Sequence, residues 1–65
     1  MWNNKEVLPE GLVNGMSVIV LTRDINNWVE LSRFHVIDGV LVDIITVNGF
    51  TITSKVEKWS YIPED

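Results

Sequence analysis

Two dipeptides divide the apolar stretch from Val29 to Ile52: Asp38-Gly39, set between Ile37 and Val40, and Asn48-Gly49, set between Val47 and Phe50. Asn or Asp followed by Gly tolerates the positive φ required at both central residues of a type I′ turn, whose twist suits the strands it joins. The pattern predicts three consecutive antiparallel strands. With two-residue turns, Ile37 faces Val40, His35 faces Val42 and Arg33 faces Ile44, while Val47 faces Phe50 and Ile45 faces Ile52. Period-two alternation then places Phe34, Val36, Leu41, Ile45, Val47, Phe50 and Ile52 on one face. Val29, Leu31, Ile37, Val40, Val42 and Ile44 fall on the other.

A flat meander with two apolar faces would leave one of them in water. Such a sheet must coil into a small barrel, be covered by the chain ends, or pair with another subunit. A barrel with docked ends is the expected solution. Ser17 to Thr22 is a further β-branched run introduced by the turn signal Asn14-Gly15, and Lys55 to Ile62 supplies a last strand with Trp59 and Tyr61 on one face. Asn27 with Glu30 resembles a capping box, and Trp28, Leu31 and His35 recur at helical spacing, so a helix from Asn27 to Phe34 competes with a strand there. The strand is favoured, because Val29, Phe34, Val36 and Ile37 suit a sheet and the Asp38-Gly39 turn needs a strand arriving. Asp24 to Asn27 then form a loop.

The extremities carry Trp2 and Leu8-Pro9-Glu10 at one end, and Val56 through Trp59, Tyr61, Ile62 and Pro63 to Glu64 at the other. Large apolar groups suit an end whose burial offsets the entropy of ordering it. Both ends are expected to dock. The fold class is therefore all-β: a single domain over residues 1–65, built as a small antiparallel meander of about five strands, in a coiled sheet or SH3-like partly open barrel.

A chain of 65 residues without cysteine has neither disulfide staples nor thiolate metal sites, so packing or self-association must hold it together. Domains of this size bury only about 60% of the surface their unfolded chains expose, which leaves a thin stability margin. Met1 to Glu6 lack the basic cluster and apolar run of a secretion signal, and no apolar run is long enough to span a bilayer, so a cytoplasmic protein is expected. A net charge of −4 repels phosphate backbones and argues against nucleic-acid binding. The acidic residues are scattered rather than spaced like phosphates, which favours solubility over DNA mimicry.

Candidate chemistry is sparse. His35 is the single histidine, and no cluster of carboxylates converges on it in sequence to hold a metal. Its strand neighbour pattern keeps it away from Asp43, and Ser32 falls on the opposite face, so no nucleophile and base pair up. The four glycines sit singly beside turn residues, with no phosphate-cradling loop. No catalytic residue, metal or cofactor is expected, and the chain reads as non-enzymatic. Asp43 interrupts an apolar face between Leu41 and Ile45; it marks a buried acid, an edge charge, or a bulge that turns it outward, the last two being favoured. Arg33 can lay its stem along the sheet and carry its head to water.

The aromatics are the candidates for protein binding: Trp28, Trp59, Tyr61 and Trp2. Such amphipathic, rigid side chains are enriched at contact surfaces. For Trp2 and Trp59 the competing role is to close the ends of the fold, whereas Trp28 beside Asn26-Asn27 is expected to be partly exposed.

At Leu8-Pro9-Glu10 and Trp59-Ser60-Tyr61-Ile62-Pro63 the chain resembles a family of short phage and prophage proteins known as domain of unknown function five-five-one. That family opens with a Trp, Leu-Pro, a turn and a Val-Leu-Val type strand, and closes on Val-Thr-His-Trp-Met-Pro-Leu-Pro. Trp2, Leu8, Pro9, Val18, Ile19, Val20, Val56, Trp59, Ile62 and Pro63 fall on those positions. Lys58 stands in place of the family histidine, Tyr61 in place of the first tail proline, and the second strand region is longer. The resemblance implies a phage-type accessory protein in a bacterial cytoplasm and carries over no activity, ligand or catalytic residue. The leading expectation is a module that binds an unidentified host or phage protein, without nucleic acid or membrane, through a sheet edge or aromatic patch. The alternative is a structural module that forms homo-oligomers, and the third a small-molecule binder, which a domain with so little interior disfavours.

Overall fold

The computed structural model describes residues 1–63, so Glu64 of the closing tract lies outside the described residues. In chain order it carries β1 (Asn3–Asn4), a 3-10 turn (Pro9–Gly11), β2 (Gly15–Met16), β3 (Val20–Asp24), β4 (Val29–Ile37), β5 (Val40–Thr46) and β6 (Val56–Tyr61). All strand pairings are antiparallel and belong to one sheet. The nine residues of β4 form its spine: β5 lies along one side, and β2 and β3 share the other. Beyond β3 come β6 and then β1. The segment from Asn27 to Phe34 is thus strand from Val29 onward, not helix.

The fold is all-β, but the sheet stays open and does not close into the expected barrel. The predicted third strand of the meander shrinks to a single bridge, Ile45 to Thr51, too short to carry the sheet round to β1. Curling still makes the chain dense: its radius of gyration is 10.7 Å, against about 11 Å for a compact domain of this length.

Both hairpins sit where the dipeptides predict, but only one has the predicted geometry. Asp38 (φ 51°) and Gly39 (φ 75°) make the type I′ turn, with Ile37 opposite Val40. Val42 is then an extra residue: Val36 pairs with Leu41, but His35 pairs with Asp43, Phe34 with Ile44 and Arg33 with Ile45. This bulge flips every later side chain of β5 to the other face. Ile44 is fully buried, Ile45 turns outward, and Asp43 stands opposite His35 on the outer face, correcting the expected register and their expected separation.

The second turn also departs from prediction. Asn48 does not take positive φ, Gly49 (φ 91°) donates its N–H to Thr46 O, and Thr46 N donates to Phe50 O. A type I turn closed by a left-handed glycine therefore spans three residues where two were expected. Val47 and Phe50 are both exposed rather than buried partners.

The predicted strand from Ser17 to Thr22 breaks at Ser17–Ile19, with β2 and β3 pairing the two halves of β4 around the break. Ser17 repairs it. Its N–H donates to Phe34 O (2.8 Å), and its hydroxyl accepts Phe34 N–H (2.9 Å) while donating to Val18 O.

The core lies on the concave face: Val20, Phe34, Val36, Ile44, Val56 and Trp59 are buried, and Leu8, Leu12, Leu41 and Ile52 pack around them. The segment after β1, Val7 to Leu12, lies over this face, with Leu8 and Leu12 packed against the core and Pro9 buried. Both ends are docked as expected, through β1 on β6 and through the Trp59 indole N–H donating to Val7 O (2.7 Å). Buried hydroxyls are paired too, Thr22 with Ser32 at 2.9 Å. Because the bulge decides which isoleucine is core, Ile44→Ala should cost ~2–5 kcal/mol and Ile45→Ala under ~1 kcal/mol. Urea unfolding of the two variants checks the register, since the uninterrupted pairing demands the reverse order.

Candidate functional site

The loop from β3 to β4 is built on Asp24. Its carboxylate Oδ1 accepts the N–H groups of Asn26 (2.8 Å) and Trp28 (2.9 Å). The Asp24 N–H donates to Trp28 O, the Asn27 N–H donates to Asp24 O, and Asn27 takes a left-handed φ of 64°. Asp and Asn suit these positions, because a short carboxylate can bond backbone two residues on and Asn tolerates that conformation. The outcome is a rigid turn that holds Trp28 in solvent, 67% exposed.

Phe50 is presented in the same way from the turn after β5. Thr46 grips its backbone twice, by the N–H to Phe50 O and by the hydroxyl, which accepts Phe50 N–H at 3.0 Å. Phe50 is 68% exposed. Both rings thus stand in water on backbones held by hydrogen bonds.

The two aromatics line one cleft of about 340 Å³ at the open end of the concave face. Thr22, Ile52 and Val56, which are buried or half-buried, form its floor. Asp24, Glu30, Thr51 and Lys55 complete the lining, with the Lys55 carbonyl accepting Ile25 N–H from the loop that carries Trp28. The volume lies at the lower limit for small-molecule sites, so it suits one inserted side chain better than a cofactor.

The other aromatic candidates serve different ends. Trp59 is 2% exposed and belongs to the core rather than a contact surface; it meets Phe34 and Tyr61 edge-on, at 5.9 and 4.9 Å between ring centres. Such pairs are worth ~0.5–1.5 kcal/mol beyond the area they bury. Tyr61 is partly exposed, but its hydroxyl is engaged, accepting Glu10 N–H at 2.7 Å. Trp2 is half-buried on the outer face beneath the guanidinium of Arg23, 5.1 Å from the ring centre. Arg23 Nε is buried and has no hydrogen-bond partner among the described residues. Trp28 is the most exposed of the four and shares its cleft with Phe50, which the sequence did not single out, whereas Tyr61 lines a separate depression with Val18, Ile19, Ile62 and Pro63. The one sequence signal for Phe50 is a large apolar residue placed directly after Asn48-Gly49.

Ser32 points into the core and His35 outward, so they do not meet. Among the described residues no group of three or more His, Asp or Glu is placed to hold a metal, and no helix is long and apolar enough to cross a membrane.

In Asp24→Ala the amides of Asn26 and Trp28 lose their acceptor and should exchange with solvent about tenfold faster, equivalent to ~1.4 kcal/mol for a charge-assisted bond. Hydrogen exchange by NMR measures it. Trp28→Ala should leave stability within ~0.5 kcal/mol, while Trp59→Ala should cost ~3–5 kcal/mol, as followed by circular dichroism in urea. No family model, curated protein or solved structure matches this chain, so its site is read from its own chemistry.

Proposed function

We propose that this chain is a small non-enzymatic binding module that grips a protein partner through the cleft between Trp28 and Phe50. The observation that carries the reading is the presentation of two rings, from loops far apart in sequence, by backbones pinned with hydrogen bonds. Pre-organised aromatics suit recognition, because little side-chain and loop entropy remains to be lost when a partner arrives. Leaving them in water serves no purpose in the core. The resemblance at Leu8-Pro9 and Trp59 to Pro63 supports a phage-type accessory role, with a host or phage protein as the partner.

A second reading has its own observation. The outer face leaves Leu31, Val29, Val47 and Met16 more than 40% exposed, and Met16, Ile19, Arg33, Ile45 and Val47 line a shallow depression there. Apolar surface of this kind suits a second copy of the chain. Affinity capture from bacterial lysate, with wild type and Trp28→Ala side by side, tests the first reading. A specific partner should be retained by wild type and lost from the folded variant; retention by both removes the cleft from the interaction. Sedimentation tests the second, for which Leu31→Glu should convert a dimer to monomer.

A further inference from the structure

We infer that the cleft takes the side chain of an arginine on the partner, an inference that rests on the cleft being the contact surface. Two kinds of lining meet there. The faces of Trp28 and Phe50 attract a cation through their ring quadrupoles, Trp most strongly. Beside them stand the carboxylates of Asp24 and Glu30, both on the concave side by virtue of the pairings Thr22 to Glu30 and Asp24 to Val56. Against these two acids the cleft sets one cation, Lys55, and the whole chain carries a net charge of −4.

Arginine matches this lining better than lysine. Its guanidinium is flat enough to stack on a ring, is weakly hydrated, and offers forked donors to a carboxylate in the same plane. Among the described residues the hydrogen bonds accepted by Asp24's carboxylate fall on Oδ1, so Oδ2 lies outside the turn it stabilises. The chain uses the same contact internally, where Arg23 lies over Trp2. An aliphatic stem resting on Ile52 and Val56, with the charged end between ring and carboxylate, accounts for a site that joins these two apolar residues to two aromatic rings and two acids.

The test is a two-dimensional NMR titration of the full chain with capped Gly-Arg-Gly, Gly-Lys-Gly, Gly-citrulline-Gly and Gly-Leu-Gly peptides. The arginine peptide should shift the Trp28 indole and the Phe50 and Thr51 amides saturably, and citrulline, which keeps the shape without the charge, should bind about fivefold more weakly. Trp28→Ala and Glu30→Gln should each weaken arginine binding by about fivefold, and Lys55→Gln should tighten it by two- to threefold at low salt. Equal binding of citrulline or leucine peptides in the cleft overturns the arginine assignment and leaves the cleft standing as a contact surface. Shifts confined to other faces, or none with any peptide, overturn the assignment as well; if Trp28→Ala also retains the captured partner, the cleft reading falls with it.

Discussion

The structure hangs on the indole of Trp59. A single curled sheet has only one face that it can protect, and in this chain the protection comes from the strap Val7 to Leu12. Trp59 joins the two. Its ring packs edge-on against Phe34 of the spine strand and against Tyr61, while its N–H holds the carbonyl of Val7 in the strap. The neighbouring Tyr61 hydroxyl takes the Glu10 N–H, and the Glu10 carboxylate in turn accepts Val18 N–H. One buried aromatic therefore ties the strap, the break between β2 and β3, and β4 into a common core. A burial this central matters more in a domain whose total margin is a few kcal/mol than it would in a larger one.

A second regularity follows from the breaks in the sheet. At four points where backbone pairing lapses, a short polar side chain takes over: Ser17 for Phe34 N–H, Thr46 for Phe50 N–H, Thr53 for Ile44 N–H and Asn14 for Asp38 N–H. Unsatisfied amides in or beside a core would each cost about 1–3 kcal/mol. These residues let the sheet bend sharply without that loss, and the bends are what curl it over Trp59. They explain how a chain with neither cysteine nor a closed barrel keeps a dry interior.

The all-β class, the two turns and the docking of both ends were legible because each rests on local chemistry: Asp-Gly and Asn-Gly at the reversals, β-branched runs between them, and tryptophans at the extremities. Register was not. Leu41, Val42, Ile44 and Ile45 are apolar at both parities, so the pattern is equally satisfied before and after a one-residue slip. Only Asp43 hints at the bulge, and it does so because in the uninterrupted register its carboxylate would stand opposite Phe34, against the core. Asn48-Gly49 is ambiguous for a similar reason: it fits a two-residue and a three-residue turn alike, and the wider turn is the one in which the Thr46 hydroxyl accepts Phe50 N–H, a bond the dipeptide alone does not reveal. The cleft was legible only in half. Trp28 could be placed beside an exposed loop, but Phe50 and Glu30 reach it through pairings that depend on the register.

The same bulge that hid the register also makes the cleft. Had β5 run without an extra residue, Ile45 and Val47 would have turned inward and Phe50 would have followed them, completing a barrel-like interior at that end. With Val42 inserted, Ile44 and Thr46 fill the inner positions instead, and the smaller, polar Thr46 ends the core one layer early. The space beyond it is lined by Thr22, Ile52 and Val56, with Trp28 and Phe50 left on the rim. A larger apolar residue at position 46 would extend the core but lose the hydroxyl that fixes Phe50. The open end of the sheet is thus no packing defect: the side chain that stops the core is the one that holds the exposed ring in place.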